Sequence, residues 1–134
     1  MLNSAVLCTR ITTPARAERH VLRVTRECWD WAVSLKTAGL ADKTITRIVA
    51  DALLAGMDHF LRSSDLTDAD SGVIVDKAAA LEGVALVKAN ISLPATEWVN
   101  IESLAEKGGW TSSQVVRVVS HIAMEQAYNE LSGR

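Results

Sequence analysis

From Leu86 to Pro94, polar and apolar residues alternate. Lys88, Asn90 and Ser92 stand at every second position, with Val87, Ala89, Ile91 and Leu93 between them. Successive side chains of an extended chain point to opposite faces. This spacing therefore lines up a cation, an amide and a hydroxyl on one side of a strand and four apolar groups on the other. The chemistry of such a row is hydrogen bonding, and its plainest alternative is the solvated face of an ordinary β-hairpin. A second candidate follows the helix-breaking Gly108-Gly109, where Thr111, Ser112 and Ser113 open a helix. Free amides and the helix dipole favour an anion at such a start, although helix capping accounts for the same residue types. Lys43 and Thr44 open another helix in the same way, beside Asp42, which would repel an anion.

Other chemistry finds little support. His20, His59 and His121 are scattered and form no metal-ligand motif, and Cys8 and Cys28 have no ligand spacing. Both cysteines read as reduced thiols, with Cys28 in the core. There is no phosphate-binding glycine loop and no nucleophile elbow, and nothing orients Cys28 toward a histidine. An enzyme is therefore not expected, nor a cofactor or a metal. A deep pocket with convergent polar groups would reverse that expectation.

The elements that must position these residues can be read from periodicity. Residues 4–13 are β-branched and partly alternating, and predict a first strand ended by Pro14. With Thr13 as N-cap, Ala17, Val21, Val24, Cys28, Trp31, Leu35 and Ala38 then predict one long helix, stopped at Gly39. An alternative places the first strand at residues 20–26, just before Trp29; the helical spacing of Val21, Val24 and Cys28 argues against it. A second helix, capped by Asp42, carries Ile45, Ile48, Val49, Ala52, Leu53 and Phe60, and fades near Arg62. Residues 63–72, rich in Ser, Asp and Gly, read as a linker, with a short helix over 73–82 stopped by Gly83. The second strand over 87–93 leads into a helix over 95–107 bearing Trp98, Ile101, Leu104 and Ala105. The last helix, capped by Thr111, carries Val115, Val118, Val119, Ile122, Ala123 and Leu131. The four tryptophans read as core or interface anchors.

The order strand, proline, helix, glycine, capped helix thus occurs twice. Arg10-Ile11-Thr12-Thr13-Pro14-Ala15 aligns with Asn90-Ile91-Ser92-Leu93-Pro94-Ala95, Gly39-Leu40 with Gly109-Trp110, and Arg47-Ile48-Val49 with Arg117-Val118-Val119. This alignment gives the first copy a longer first helix.

The chain has 134 residues, 49% of them hydrophobic, so it can form a packed core and is not a disordered segment. Its net charge of −2 counts against a polyanionic partner, but the distribution is uneven. Arg10, Arg16, Arg19, Arg23 and Arg26 crowd the first 27 residues, while Asp65, Asp68, Asp70, Asp76 and Glu82 follow the second helix. The early arginines read as a solvated helix face or as the source of an attractive field. No signal peptide and no long apolar run is present, so a cytoplasmic protein without a membrane span is expected.

The residues Val87 to Pro94, a short helix, and then Gly108-Gly109-Trp110-Thr111-Ser112-Ser113-Gln114-Val115-Val116-Arg117 resemble the ribbon-helix-helix family of Arc/MetJ-type repressors. The first copy matches more loosely. The resemblance implies a mainly α fold with a two-stranded antiparallel ribbon, arranged as a tandem pseudo-dimer. Residues 1–64 would be the first copy, 65–85 an acidic linker with a short helix, and 86–134 the second copy, the two copies intertwined. It implies double-stranded DNA as partner, read by the ribbon in the major groove. Arg10 and Lys88 would suit guanine, Asn90 adenine, and Thr12 and Ser92 several bases, with Cys8 the poorest reader. Lys43, Thr44, Thr111, Ser112 and Ser113 would face phosphate. Unequal strands would read an asymmetric site. Members of this kind serve as transcriptional regulators or as accessory proteins of plasmid conjugation and other mobile elements, and self-association on adjacent DNA sites is compatible with that role. The alternative is a ribbon-helix-helix protein that binds another protein, antitoxin-like or without DNA binding. Arg10 and Lys88 converging on one exposed ribbon face favour DNA; an acidic or apolar face favours protein.

Overall fold

A computed structural model describes residues 17–61 and 68–133. Two strands, β1 (Ala17–Thr25) and β2 (Leu86–Pro94), pair antiparallel with Ala17 opposite Pro94 and Thr25 opposite Leu86. β2 forms where the alternation predicts. Ala89, Ile91 and Leu93 are buried, whereas Lys88 and Asn90 are exposed. Directly opposed residues share a face of the ribbon. The register therefore puts Leu22 and Val24 on the inner face with Ala89 and Val87, and Arg19, Val21 and Arg23 on the outer face.

β1 corrects the expected first half. The predicted strand over 4–13 lies outside the described residues, and the segment read as the start of a long helix is itself the strand. The helix begins only at Arg26, so the less favoured alternative near residues 20–26 lies closer to the structure. The three- and four-residue spacing of Val21, Val24 and Cys28 straddles a junction. Val24 is an inward strand residue, Cys28 lies in the first turn of the helix, and Val21 points outward and is 65% exposed. Hydrogen bonding to β2, a partner far along the chain, outweighs a chance local periodicity.

Five helices complete the described residues: α1 (Arg26–Thr37), α2 (Ile45–Leu61), α3 (Asp68–Ala80), α4 (Ala95–Gly108) and α5 (Ser112–Leu131). Thr25 caps α1, its Oγ1 accepting from Cys28 N at 3.1 Å. Thr44, not Asp42, caps α2, its Oγ1 accepting from Arg47 N at 3.3 Å. The helix after each strand is of similar length, 12 and 14 residues, so the expected longer first helix is absent. α3 begins inside the stretch read as linker, because an Asp-rich composition suits a helix's first turn as well as a loop. α4 and α5 lie where periodicity predicts. Gly109, at φ +73°, makes the left-handed turn between them, and Thr111 and Gln114 form a capping box.

The core lies under the ribbon. Val24, Ala89, Ile91 and Leu93 from the strands meet Leu35 of α1, Val49 and Leu53 of α2, Leu104 of α4 and Val115 and Val119 of α5. α2 and α5 approach closely at Gly56, the small residue in α2 that faces Val119. α3 contributes Ile74, leaving Val73 and Val75 exposed. Among the described residues no helix is long and apolar enough to cross a membrane.

Candidate nucleic-acid interface

The outer face of the ribbon carries three cross-strand pairs: Arg19 with Ser92, Val21 with Asn90, and Arg23 with Lys88. All but Ser92, which is half-buried, are exposed. The Arg23–Lys88 pairing sets two cations directly opposite each other. Like charges in this position destabilise a ribbon. An anion lying over the face would offset that repulsion.

A groove lies on each side of this face. One, of about 290 Å³, is lined by Val21, Arg23, Leu86 and Lys88 from the ribbon and by Ser113 and Arg117 from α5. The other, of about 350 Å³, is lined by Arg19, Asn90 and Ser92 from the ribbon and by Thr44, Thr46 and Arg47 at the start of α2. The ribbon face is thus flanked by the first turns of two helices.

The two helix starts differ. At α5, Thr111 Oγ1 accepts from Gln114 N at 3.1 Å and Gln114 Oε1 accepts from Thr111 N at 2.9 Å. Thr111, Ser112 and Ser113 are exposed, and amides in a helix's first turn lack intrahelical acceptors. At α2, Thr44 acts as the cap. Lys43 Nζ lies 3.6 Å from Asp51 Oδ2, and Arg47 Nη2 lies 3.1 Å from Asp51 Oδ1. Asp51 is 2% exposed. Burial pushes its carboxyl above the ordinary range, against the opposing pull of Arg47 and Lys43.

The residues expected to act therefore divide. Lys88, Asn90 and Ser92 share the outer ribbon face, as alternation predicts. Ser112 and Ser113 stand at an exposed helix start, Ser113 in the groove beside Lys88. Thr111 and Thr44 are engaged as caps, and Lys43 is engaged with Asp51. Cys8, Arg10 and Thr12 lie outside the described residues, and the positions facing Lys88, Asn90 and Ser92 belong to Arg23, Val21 and Arg19. Sequence reasoning missed those three, together with Arg47 and Arg117. The alternative strand over residues 20–26 contained the signal for Val21 and Arg23 of the first group, though not for Arg19. The match of Arg47-Ile48-Val49 with Arg117-Val118-Val119 contained it for the second.

Elsewhere, Trp98 lies over His20 with ring centroids 3.9 Å apart, its Nε1 donating to Glu18 O at 3.4 Å. This contact fastens β1 to α4, the anchoring role expected of a tryptophan. Among the described residues no cluster of His, Cys, Asp and Glu is arranged to hold a metal. Comparison of the chain with protein-family models, curated proteins and solved structures finds no match.

Proposed function

We propose that this chain binds double-stranded DNA sequence-specifically, laying the outer face of its two-stranded ribbon in the major groove, and that it is a tandem ribbon-helix-helix protein whose two halves pair within one chain. The observation that carries this reading is the outer face itself. Arg19, Arg23, Lys88, Asn90 and Ser92 project from one side of an antiparallel ribbon. Their functional groups are those that recognise base edges, arginine and lysine for guanine and asparagine for adenine. A two-stranded ribbon fits the width of the major groove. The recurrence of strand, helix, glycine turn and capped helix on both sides of α3 supports the tandem arrangement. A transcriptional regulator or an accessory protein of a mobile element would use such a binder. Because the two strands differ, the expected target is asymmetric.

Selection from a randomised duplex library at two salt concentrations tests this, with an Arg23→Ala/Lys88→Ala variant beside the wild type. A short asymmetric motif, bound less tightly at high salt and lost in the variant, is the expected result. Absence of enrichment at low salt would reject DNA binding and favour a protein partner for the ribbon face.

A further inference from the structure

We infer that the two grooves beside the ribbon are unequal anion sites: the groove lined by Arg23, Lys88, Ser113 and Arg117 anchors a phosphate group, and the groove lined by Arg19, Thr46 and Arg47 does not. In its duplex form this inference rests on the DNA-binding reading, with the backbone phosphodiester as the ligand.

The difference comes from one buried position. On the α2 side, Lys43 and Arg47 both turn to Asp51, one helical turn beyond Arg47. A buried carboxylate between two cations cancels much of their field and holds the arginine head away from a ligand. The residue one turn beyond Arg117 is His121, which is also buried. Its Nδ1 lies 2.7 Å from Thr25 Oγ1, directed into the core. An imidazole is neutral or cationic but never anionic, so His121 places no anion beside Arg117 where Asp51 places one beside Arg47. Among the described residues, Arg23, Lys88 and Arg117 make no ion pair with an acid. Three cations that make no ion pair among the described residues, together with exposed Ser113, therefore border one groove. The other is bordered by Arg19 and by an arginine already engaged.

The consequence is directional binding. A duplex on the ribbon would be gripped along its backbone mainly at the α5 end, while the α2 end would contribute through Asn90, Ser92 and Arg19 with little from Arg47.

The test compares Arg117→Gln and Arg47→Gln in the full chain, measuring affinity for the selected duplex across a salt series, with melting temperatures to verify folding. Arg117→Gln is expected to weaken binding about tenfold and to flatten the log–log salt slope by about one, the signature of a lost phosphate contact. Arg47→Gln is expected to change affinity less than about twofold and to leave the slope alone. Arg117→Lys, which keeps the charge, should retain most of the affinity even if Arg117→Gln unfolds. Equal losses in the two Gln variants, or a larger loss in Arg47→Gln, would overturn the inference while leaving DNA binding intact. A separate arm needs no duplex. Inorganic pyrophosphate is titrated into the labelled protein while backbone amide shifts are followed. Saturable shifts at Ser113 and Arg117, without matching shifts at Thr46 and Arg47, support the anion site even if no duplex binds. Shifts equal at both grooves, or absent from both, would refute it.

Discussion

Thr25 Oγ1 and His121 Nδ1 lie 2.7 Å apart in the core, joining the end of β1 to the middle of α5 across most of the chain. Thr25 Oγ1 accepts the amide of Cys28 and shares a second hydrogen bond with His121 Nδ1, whose direction follows the His121 tautomer. A protonated imidazole would carry a hydrogen on that nitrogen and place a charge in the core. Edge-on contact with Trp31 completes the enclosure. Burial lowers the His121 pKa from 6.5, reinforced by Lys77 and opposed by Glu27 and Glu125.

That arrangement sets a pH dependence. The folded state resists the proton that the unfolded chain accepts below about 6.5, so the unfolded state binds more protons in this window. Stability from His121 is therefore fully present above about 6.5 and is lost as pH falls through the lower folded pKa. Melting temperature should fall between about pH 7 and pH 5, and a His121→Gln variant should show a shallower fall. An unchanged slope in the variant would place the dependence elsewhere.

Gly56 is where the two long helices meet. A Cβ at this position would stand 2.5 Å from Val119 Cγ1 and 3.2 Å from Val119 O. Alanine within a helix is ordinarily favoured over glycine by about 1 kcal/mol. Here overpacking outweighs that gain, and Gly56→Ala should destabilise the fold by about 1–3 kcal/mol in denaturant titration. Adding Val119→Ala removes the closest clash but leaves the carbonyl, so a double-mutant cycle should show favourable coupling. A stabilised Gly56→Ala variant would mean that the helices separate readily.

Cys28 is fully buried, and burial pushes its thiol pKa up to about 12. Its Sγ approaches Ser120 O at 3.7 Å. Thiolate is the reactive form. In a Cys8→Ser background the folded protein should resist alkylation at neutral pH and react when denatured. Rapid modification of the native variant would contradict the packing of α1 against α5.

Val21 stands in the middle of the ribbon face, opposite Asn90 and flanked by Arg19 and Arg23. An exposed apolar group among donors suits a thymine methyl. In the selected duplex, replacing thymine by uracil at one position should weaken wild-type binding, and Val21→Ala should erase the difference. Indifference of the wild type to every such replacement would exclude this contact.

The second half of the molecule was legible in its own residues. The alternation of β2, the glycine turn and the capping box at Thr111 are short-range features that need no distant partner to be specified. The same alternation placed Lys88 and Asn90 on the outer face. The first half was not legible. Residues 17–25 carry polar groups at inward positions, Glu18 and His20, and an apolar group at an outward one, Val21, which blurs the period of a strand. Only pairing with β2, whose hydrogen bonds and apolar inner face lie elsewhere in the chain, decides that they are extended. The site divides in the same way. Lys88, Asn90 and Ser92 could be named from spacing, whereas register and helix packing bring Arg19, Arg23 and Arg117 beside them. The engagement of Lys43 and Arg47 by Asp51 depends on the burial of a carboxylate, a property that residue type and local spacing do not determine.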